Sequence, residues 1–416
     1  MSKRRVVVTG IGAVSPFGVG IDTLWNNIIA GNSGISNIEN MELDGHTVHI
    51  AGEVKNFDET QYLDPKEAKK MDRYIHFAMV AADEAIKDSG ISTENVDPYR
   101  FGVVVGSAAG GFKTIEKNHK AMLEKGPTKC SPFTIPMLIC DMAAGRISIK
   151  YGAKGLNKAV VTACATSANA IGDAFRSIQW NDADVIVAGG AESTICNIGL
   201  GAFTSARTLS KRNDEPQKAS RPYDKDRDGF VMAEGAGILI LEELEHAKAR
   251  GAKIYAEVVG YGQTADAHDI VAPCPYGLGA GKSMENALKD AEIDPKEVQY
   301  VNSHGTSTGL GDKAESNAIA HLFGDKEANP NLFVSSTKSM TGHMLGAAGA
   351  IESIICIESI NNGVVPPTIN LDNQDEEVAN LDYVPNKAKK ADVKVALTNS
   401  FGFGGHNASL VFKKYE

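Results

Sequence analysis

The sequence predicts an α/β fold in which one strand–helix plan is used twice along 416 residues. Two observations lead there. Short β-branched runs such as Val6-Val7-Val8, Val103-Val104-Val105 and Val185-Ile186-Val187 lack polar alternation, the pattern of strands buried on both faces, and they alternate with longer amphipathic or small-residue stretches. The pieces also recur in order. Arg5 to Gly12 is echoed by Tyr255 to Gly262, Phe101 to Ser107 by Gln299 to Ser303, and the glycine turn and strand at 229–242 by Phe401 to Phe412. The expected halves are 1–251 and 252–416, since a chain this long exceeds the ~250–300 residues at which a single core stops growing.

Composition narrows the function classes. With 42 basic against 52 acidic residues and a net charge of −10, general binding to nucleic acid or an anionic membrane is disfavoured. No run reaches the ~18 apolar residues of a membrane span, and the first residues lack the apolar stretch of a signal peptide. Six cysteines, Cys130, Cys140, Cys164, Cys196, Cys274 and Cys356, are scattered without C-x-x-C pairs or metal-like spacing. They read as free thiols in a reducing cytoplasm, with no metal site expected.

Taken in order, Arg5–Gly12 is expected as a buried strand whose Gly10 and Gly12 form a turn. The run is not a dinucleotide fingerprint, because Ser15 and Pro16 follow. Residues 66–92 have helical period and a basic front at Lys66, Lys69, Lys70 and Arg73. Residues 111–150, with Pro127, Pro132 and Pro136, are expected as an insertion, and 158–163 as a strand running directly into a helix at Cys164. A thiol at such a helix start is expected to fall below its free pKa of ~8.5. Beyond it come an apolar strand at 184–190, a polar loop at 210–228, a polar helix at 242–251 and a small-residue helix after His343. Gly277–Ser283 is not a phosphate loop, since Tyr276 stands where glycine is required and no strand precedes it.

A pseudo-twofold would bring the two small-residue helices together, and with them Cys164 and His343. Of ten histidines, His46, His49, His76, His119, His246 and His321 have ordinary surroundings, whereas His304 ends a strand and His343 opens a helix. Three dispersed ligands are a weak metal signal, and a thiol protease needs one histidine and an orienting residue. Two histidines beside a thiol suit donation of N–H bonds to a carbonyl that becomes an enolate, which asks for a thioester substrate. The alternative for Cys164 is a buried structural thiol.

The segments Thr162-Ala-Cys-Ala-Thr166, Asn302-Ser-His-Gly-Thr-Ser-Thr308, Ser335-Ser-Thr-Lys-Ser-Met-Thr-Gly-His343 and Asn399-Ser-Phe-Gly-Phe-Gly-Gly405 together closely resemble the elongating β-ketoacyl-acyl-carrier-protein synthases of bacterial type II fatty-acid synthesis. The resemblance implies a thiolase-like fold of two fused halves layered αβαβα, a homodimer, and a decarboxylating Claisen condensation. No cofactor is implied beyond the phosphopantetheine of acyl carrier protein, the partner that brings both substrates.

By the same resemblance Cys164 is the nucleophile, and the N–H groups of Cys164 and Phe403 form the oxyanion hole. His304 and His343 hold the malonyl thioester carbonyl. Lys338 sets the field around His343 and pairs with Glu352, Phe401 supports the site, and Phe403 also gates acyl entry. Thr306 and Thr308 bind the pantetheine arm, while Lys66, Lys69, Lys70, Lys129 and Arg207 face the acidic carrier protein. Ser167, Gly309 and His406 depart from the common pattern. A degradative thiolase would carry one histidine and a second cysteine. A chain-length partner would lack Cys164, a non-catalytic scaffold would not need the Cys-His-His set, and a polyketide-type ketosynthase is the alternative reading.

Overall fold

The computed structural model describes residues 3–416; Met1 and Ser2, at the start of the expected first half, lie outside the described residues. The principal strands are β1 (Val6–Ser15), β2 (Phe101–Gly106), β3 (Asn157–Lys158), β4 (Val185–Glu192) and β5 (Gly235–Glu243), then β6 (Ala256–Ala265), β7 (Tyr300–Asn302), β8 (Phe333–Ser335), β9 (Val395–Gly402) and β10 (His406–Lys413). They lie side by side in the order β8-β7-β9-β10-β6-β1-β5-β4-β2-β3. Read outward from the β1–β6 junction, both halves run through the same sequence of positions, with matching parallel and antiparallel pairings. The repeated plan is thus a topological duplication, joined where Val6–Val8 pairs with Val258–Ala256.

Alternation along the strands distributes side chains to different cores. Val104, Ile186, Ala188, Leu239 and Leu241 point to a central cluster, while Val103, Val105, Val185, Val187, Ile238 and Ile240 point to an outer one. Helices α4 (Thr166–Gln179) and α7 (Ala348–Asn362) fill the centre, and α1 (Arg73–Ser89) covers the outside of the first half with α3 (Met142–Tyr151). Helices α5 (Leu278–Ala291) and α6 (Gly309–Phe323) cover the second. The layers therefore run helix, sheet, helix, sheet, helix.

Small residues make the central layer thin. A Cβ on Gly349 of α7 would lie 2.9 Å from the Ala168 side chain of α4, and the Ser167 hydroxyl accepts the Ala350 N–H at 2.9 Å. Ser167 therefore links the two buried helices.

Four sequence expectations are corrected. Gly10 and Gly12 lie inside β1, not in a turn; a Cβ there would sit 2.2 Å from the Ala85 carbonyl oxygen and 2.1 Å from that of Ala81, so glycine admits α1 onto the strand. The 66–92 helix is split into Pro65–Ala68 and α1, because Asp64 caps one start, accepting the Lys66 N–H at 2.9 Å, and Asp72 the other, accepting the Tyr74 N–H at 3.3 Å. The 111–150 segment is largely helical, with α2 (Phe112–Lys125), and its last helix, α3, belongs to the outer layer. Finally, the strand expected at 158–163 is only β3; the chain then runs irregularly to Cys164.

Candidate active site

Cys164 sits on a forced elbow. Ala163 has φ +50°, a left-handed conformation unfavourable for a residue with a Cβ, inside a one-turn 3₁₀ segment that leads into α4. The elbow is held by its own helix, since Thr166 Oγ1 accepts the Thr162 N–H at 2.9 Å. It is also held by the end of β9, where a Cβ on Gly402 would lie 2.7 Å from the Thr162 carbonyl oxygen and 3.1 Å from the Cys164 nitrogen. That approach brings the backbone N–H of Phe403 beside that of Cys164 itself, and both favour the thiolate over the thiol. Two converging donors are what an oxyanion requires.

The thiol is not the acidic one expected from its helix. Burial pushes Cys164 up to about 12; the Lys338 ammonium and the two N–H groups oppose the rise, and Glu192 adds to it. The side chain is enclosed in an apolar cluster with Ile195, Leu200, Phe230 and Leu345, so desolvation outweighs the short helix end. The free site therefore holds a thiol.

His343 is clamped through its backbone. Its N–H donates to Val231 O at 2.7 Å and its carbonyl accepts the Ala233 N–H at 2.9 Å, tying the residue after Gly342 to the segment entering β5. The Leu345 N–H donates to His343 Nδ1 at 3.3 Å, which leaves the ring proton on Nε2. His304, just after β7, meets His343 edge to face with ring centres 5.3 Å apart, and Phe401 packs 5.7 Å from it. Burial, then the Lys338 cation, holds both imidazoles well below 6.5, so both are neutral.

Lys338 and Glu352 form a buried ion pair, with Lys338 1% and Glu352 2% exposed. Burial raises the Glu352 carboxyl to about 7 despite the adjacent ammonium.

A cavity of about 500 Å³ runs from Cys164, His304 and His343 past Phe401 and Phe403, with Thr306 and Thr308 on its wall. The two threonine hydroxyls are 3.0 Å apart. Of the five basic residues expected to meet a carrier, Arg207 alone lines this cavity. Lys66, Lys69 and Lys129 are exposed elsewhere, and Lys70 is paired with Glu67 at 2.6 Å. His406 lies exposed at the start of β10, and Gly309 opens α6 with free space around it.

Sequence reasoning missed the carboxylates behind the site. Glu315 accepts the His304 and Gly305 N–H groups at 2.8 Å each and the Asn399 amide at 3.1 Å, fixing the His304 turn to β9. Asp312 accepts the Ser307 and Tyr223 N–H groups at 3.1 and 3.0 Å. Both are buried acids on α6, at i and i+3 just after the His304 motif, and an acidic pair on a helix's inward face was the available signal. Among the described residues, no group of three or more His, Cys, Asp or Glu side chains is placed to hold a metal, and no helix is long and apolar enough to cross a membrane.

Residues 3–247 match the family model for the beta-ketoacyl synthase N-terminal domain, and 255–372 that for its C-terminal domain. A 3-oxoacyl-[acyl-carrier-protein] synthase 2 from Synechocystis sp. is 51% identical over 416 residues, 100% of this chain and 99% of the relative. The protein of that name from Vibrio harveyi is 50% identical over 414 residues, again 100% and 99%. Among solved structures, a beta-ketoacyl synthase from Burkholderia phymatum superposes with a TM-score of 0.91 at 35% identity, over 99% of this chain and 100% of that one. A type II polyketide ketosynthase, solved in complex with its acyl-carrier protein, superposes at 0.90 with 36% identity and complete coverage of both chains. With both family models matched in order and relatives identical at half of all positions, this chain belongs to the β-ketoacyl synthase family.

Proposed function

We infer that this enzyme elongates fatty acyl chains on acyl carrier protein by a decarboxylating Claisen condensation. One observation carries the reading: a thiol with two converging N–H groups and two neutral imidazoles line one cavity. In the first half, Cys164 Sγ attacks the carrier-bound thioester, the oxyanion rests on the N–H groups of Cys164 and Phe403, and the released pantetheine thiolate takes the thiol proton. In the second, the malonyl thioester carbonyl accepts N–H bonds from His304 and His343. Carbon dioxide leaves, and the electron pair passes into the enolate so held.

The enolate carbon then attacks the acyl–Cys164 carbonyl. A second oxyanion forms in the same hole, and its collapse expels the Cys164 thiolate, which regains a proton from solvent. The product is 3-oxoacyl carrier protein, two carbons longer. Neutral imidazoles are required, since each must donate to the enolate without protonating its carbon, and burial supplies that state. Lys338 supplies positive potential over both steps, and Thr306 and Thr308 bind the pantetheine arm on its way in. The relatives at about half identity are named 3-oxoacyl-[acyl-carrier-protein] synthase 2, whereas the polyketide ketosynthase lies at 36% identity, which favours fatty-acid elongation over the polyketide alternative.

The carrier protein docks at the mouth, with Arg207 nearest the thioester's path and Lys66, Lys69, Lys70 and Lys129 as outlying contacts. The enzyme works as a homodimer. The short exposed edge strand β3, flanked by exposed apolar side chains at Phe133, Ile135, Ile139, Ile149 and Val161, supports this assembly, because an open sheet edge beside exposed apolar surface calls for a partner. Free cysteines fit a cytoplasmic setting. Incubation of purified enzyme with a long-chain acyl carrier protein and malonyl carrier protein is expected to yield a 3-oxoacyl product two carbons longer; hydrolysis alone would refute the reading. Sedimentation equilibrium showing a monomer at micromolar concentration would refute the dimer.

A further inference from the structure

Glu192 ends β4 in the wall behind Cys164, fully buried, and takes no part in the steps above. Its carboxylate accepts the Ser107 hydroxyl at 3.0 Å, the Ala108 N–H at 2.9 Å and the Gly346 N–H at 3.1 Å, with the Ala109 N–H a further donor. No cation among the described residues pairs with it. The Ser107, Ala108 and Ala109 donors follow β2, whereas Gly346 lies three residues after His343, so the carboxylate straddles the seam between the two halves.

The seam is tight and strained. A Cβ on Gly346 would lie 2.6 Å from the Ala108 nitrogen and 2.8 Å from Glu192 Oε2, so the turn is pressed onto the carboxylate. Leu345, next in the chain, has φ +46°, a conformation that persists only where neighbours hold it. The Leu345 N–H is the group that donates to His343 Nδ1. A contiguous path of Glu192, Gly346, Leu345 and His343 results.

We propose that Glu192 is a positioning residue for the decarboxylating half-reaction: by gripping the Gly346 amide it keeps the Leu345 N–H on His343 Nδ1, and therefore the Nε2–H on the malonyl carbonyl. Burial raises the Glu192 carboxyl to about 7, so at pH 8 it is mostly ionised, and its charge then contributes to the raised state of the Cys164 thiol and also acts on Cys140 and Tyr74. Reach and charge are separable. Glu192→Asp keeps the charge but is too short to hold Ser107, Ala108 and Gly346 together, whereas Glu192→Gln keeps the length and turns an amide group toward a nest of donors.

The inference rests on the condensing reading above, and acylation of the wild-type enzyme tests that reading separately. Three rates are measured on the full-length variants: acyl transfer from acyl carrier protein to Cys164, carbon dioxide release from malonyl carrier protein, and alkylation by iodoacetamide at pH 8. Both variants are expected to lose ~10-fold or more in kcat for carbon dioxide release, with KM within ~2-fold and acyl transfer within ~3-fold of wild type. Alkylation is expected to quicken ~3-fold in Glu192→Gln and to stay unchanged in Glu192→Asp. Carbon dioxide release within ~2-fold of wild type in Glu192→Asp, or equal losses of acyl transfer and decarboxylation, would overturn the proposal. Loss of the native circular-dichroism spectrum in both variants would likewise assign Glu192 to folding and overturn it.

Discussion

The Leu345 N–H donates to Nδ1 of His343 at 3.3 Å, and this places the single proton of a neutral imidazole on Nε2, in a residue that lines the cavity. His304, whose ring lies 5.3 Å away at 86°, is neutral as well. Substituting either ring by asparagine keeps an N–H near the carbonyl but shortens its reach. Each variant is expected to lose ~100-fold or more in carbon dioxide release, by the measure of a lost oxyanion donor, while Cys164 is still acylated. Loss of acylation in either variant would contradict this division of labour.

Because burial holds the Cys164 thiol at about 12, thiolate is scarce at neutral pH and its fraction grows about tenfold per pH unit. The alkylation rate of Cys164 by iodoacetamide is therefore expected to keep rising from pH 7 to 10. A plateau near pH 8, the signature of an acidified thiol, would show that the helix end outweighs desolvation.

Lys338 and Glu352 are a buried pair, so removing one partner strands the other. Lys338→Met is expected to destabilise the fold by ~3–5 kcal/mol, and Lys338→Met with Glu352→Leu to recover most of that without recovering condensation. Thermal melts and turnover on the same samples check both halves of the statement.

Gly309 begins α6 after an extended Thr308 (φ −101°, ψ 143°), and a Cβ there would meet no atom within 4 Å. Proline suits that first helical position, so Gly309→Pro is expected to stabilise by ~0.4–1 kcal/mol in denaturant unfolding. Gly12→Ala is the counterpart: its methyl would sit 2.1 Å from the Ala81 carbonyl oxygen, and the expected loss is ~3 kcal/mol or more.

Arg207 lines the cavity, whereas Lys66 lies outside it and Lys70 is already paired. Arg207→Glu is therefore expected to raise the KM for acyl carrier protein more than the double reversal Lys66→Glu with Lys70→Glu, both effects shrinking at high salt. An unchanged KM in all of them would remove the basic residues from docking.

The duplicated plan was legible because buried strands and small-residue helices leave compositional traces, and the pairing of Ser167 with α7 and of Lys338 with Glu352 shows what those helices are for. The Cys164 elbow was legible as a place but not as a geometry. Nothing local announces that Ala163 must turn left-handed; the end of β9, more than two hundred residues away, imposes it. Gly10 and Gly12 were misplaced for a related reason, since a glycine that admits a helix has the same local signature as one that turns the chain. Asp312 and Glu315 left a trace as an acidic pair on one helix face, but Glu192 was invisible, because its role is defined by the amides around it and those come from distant loops.

The most direct test is intact-protein mass after incubation with a long-chain acyl carrier protein, for wild type and Cys164→Ala, followed by malonyl carrier protein. A single acyl adduct on the wild type alone, discharged with carbon dioxide release as the 3-oxoacyl product forms, is the expected result. No adduct, or one that persists in Cys164→Ala, would contradict the assignment of Cys164 as the nucleophile and with it the condensing mechanism.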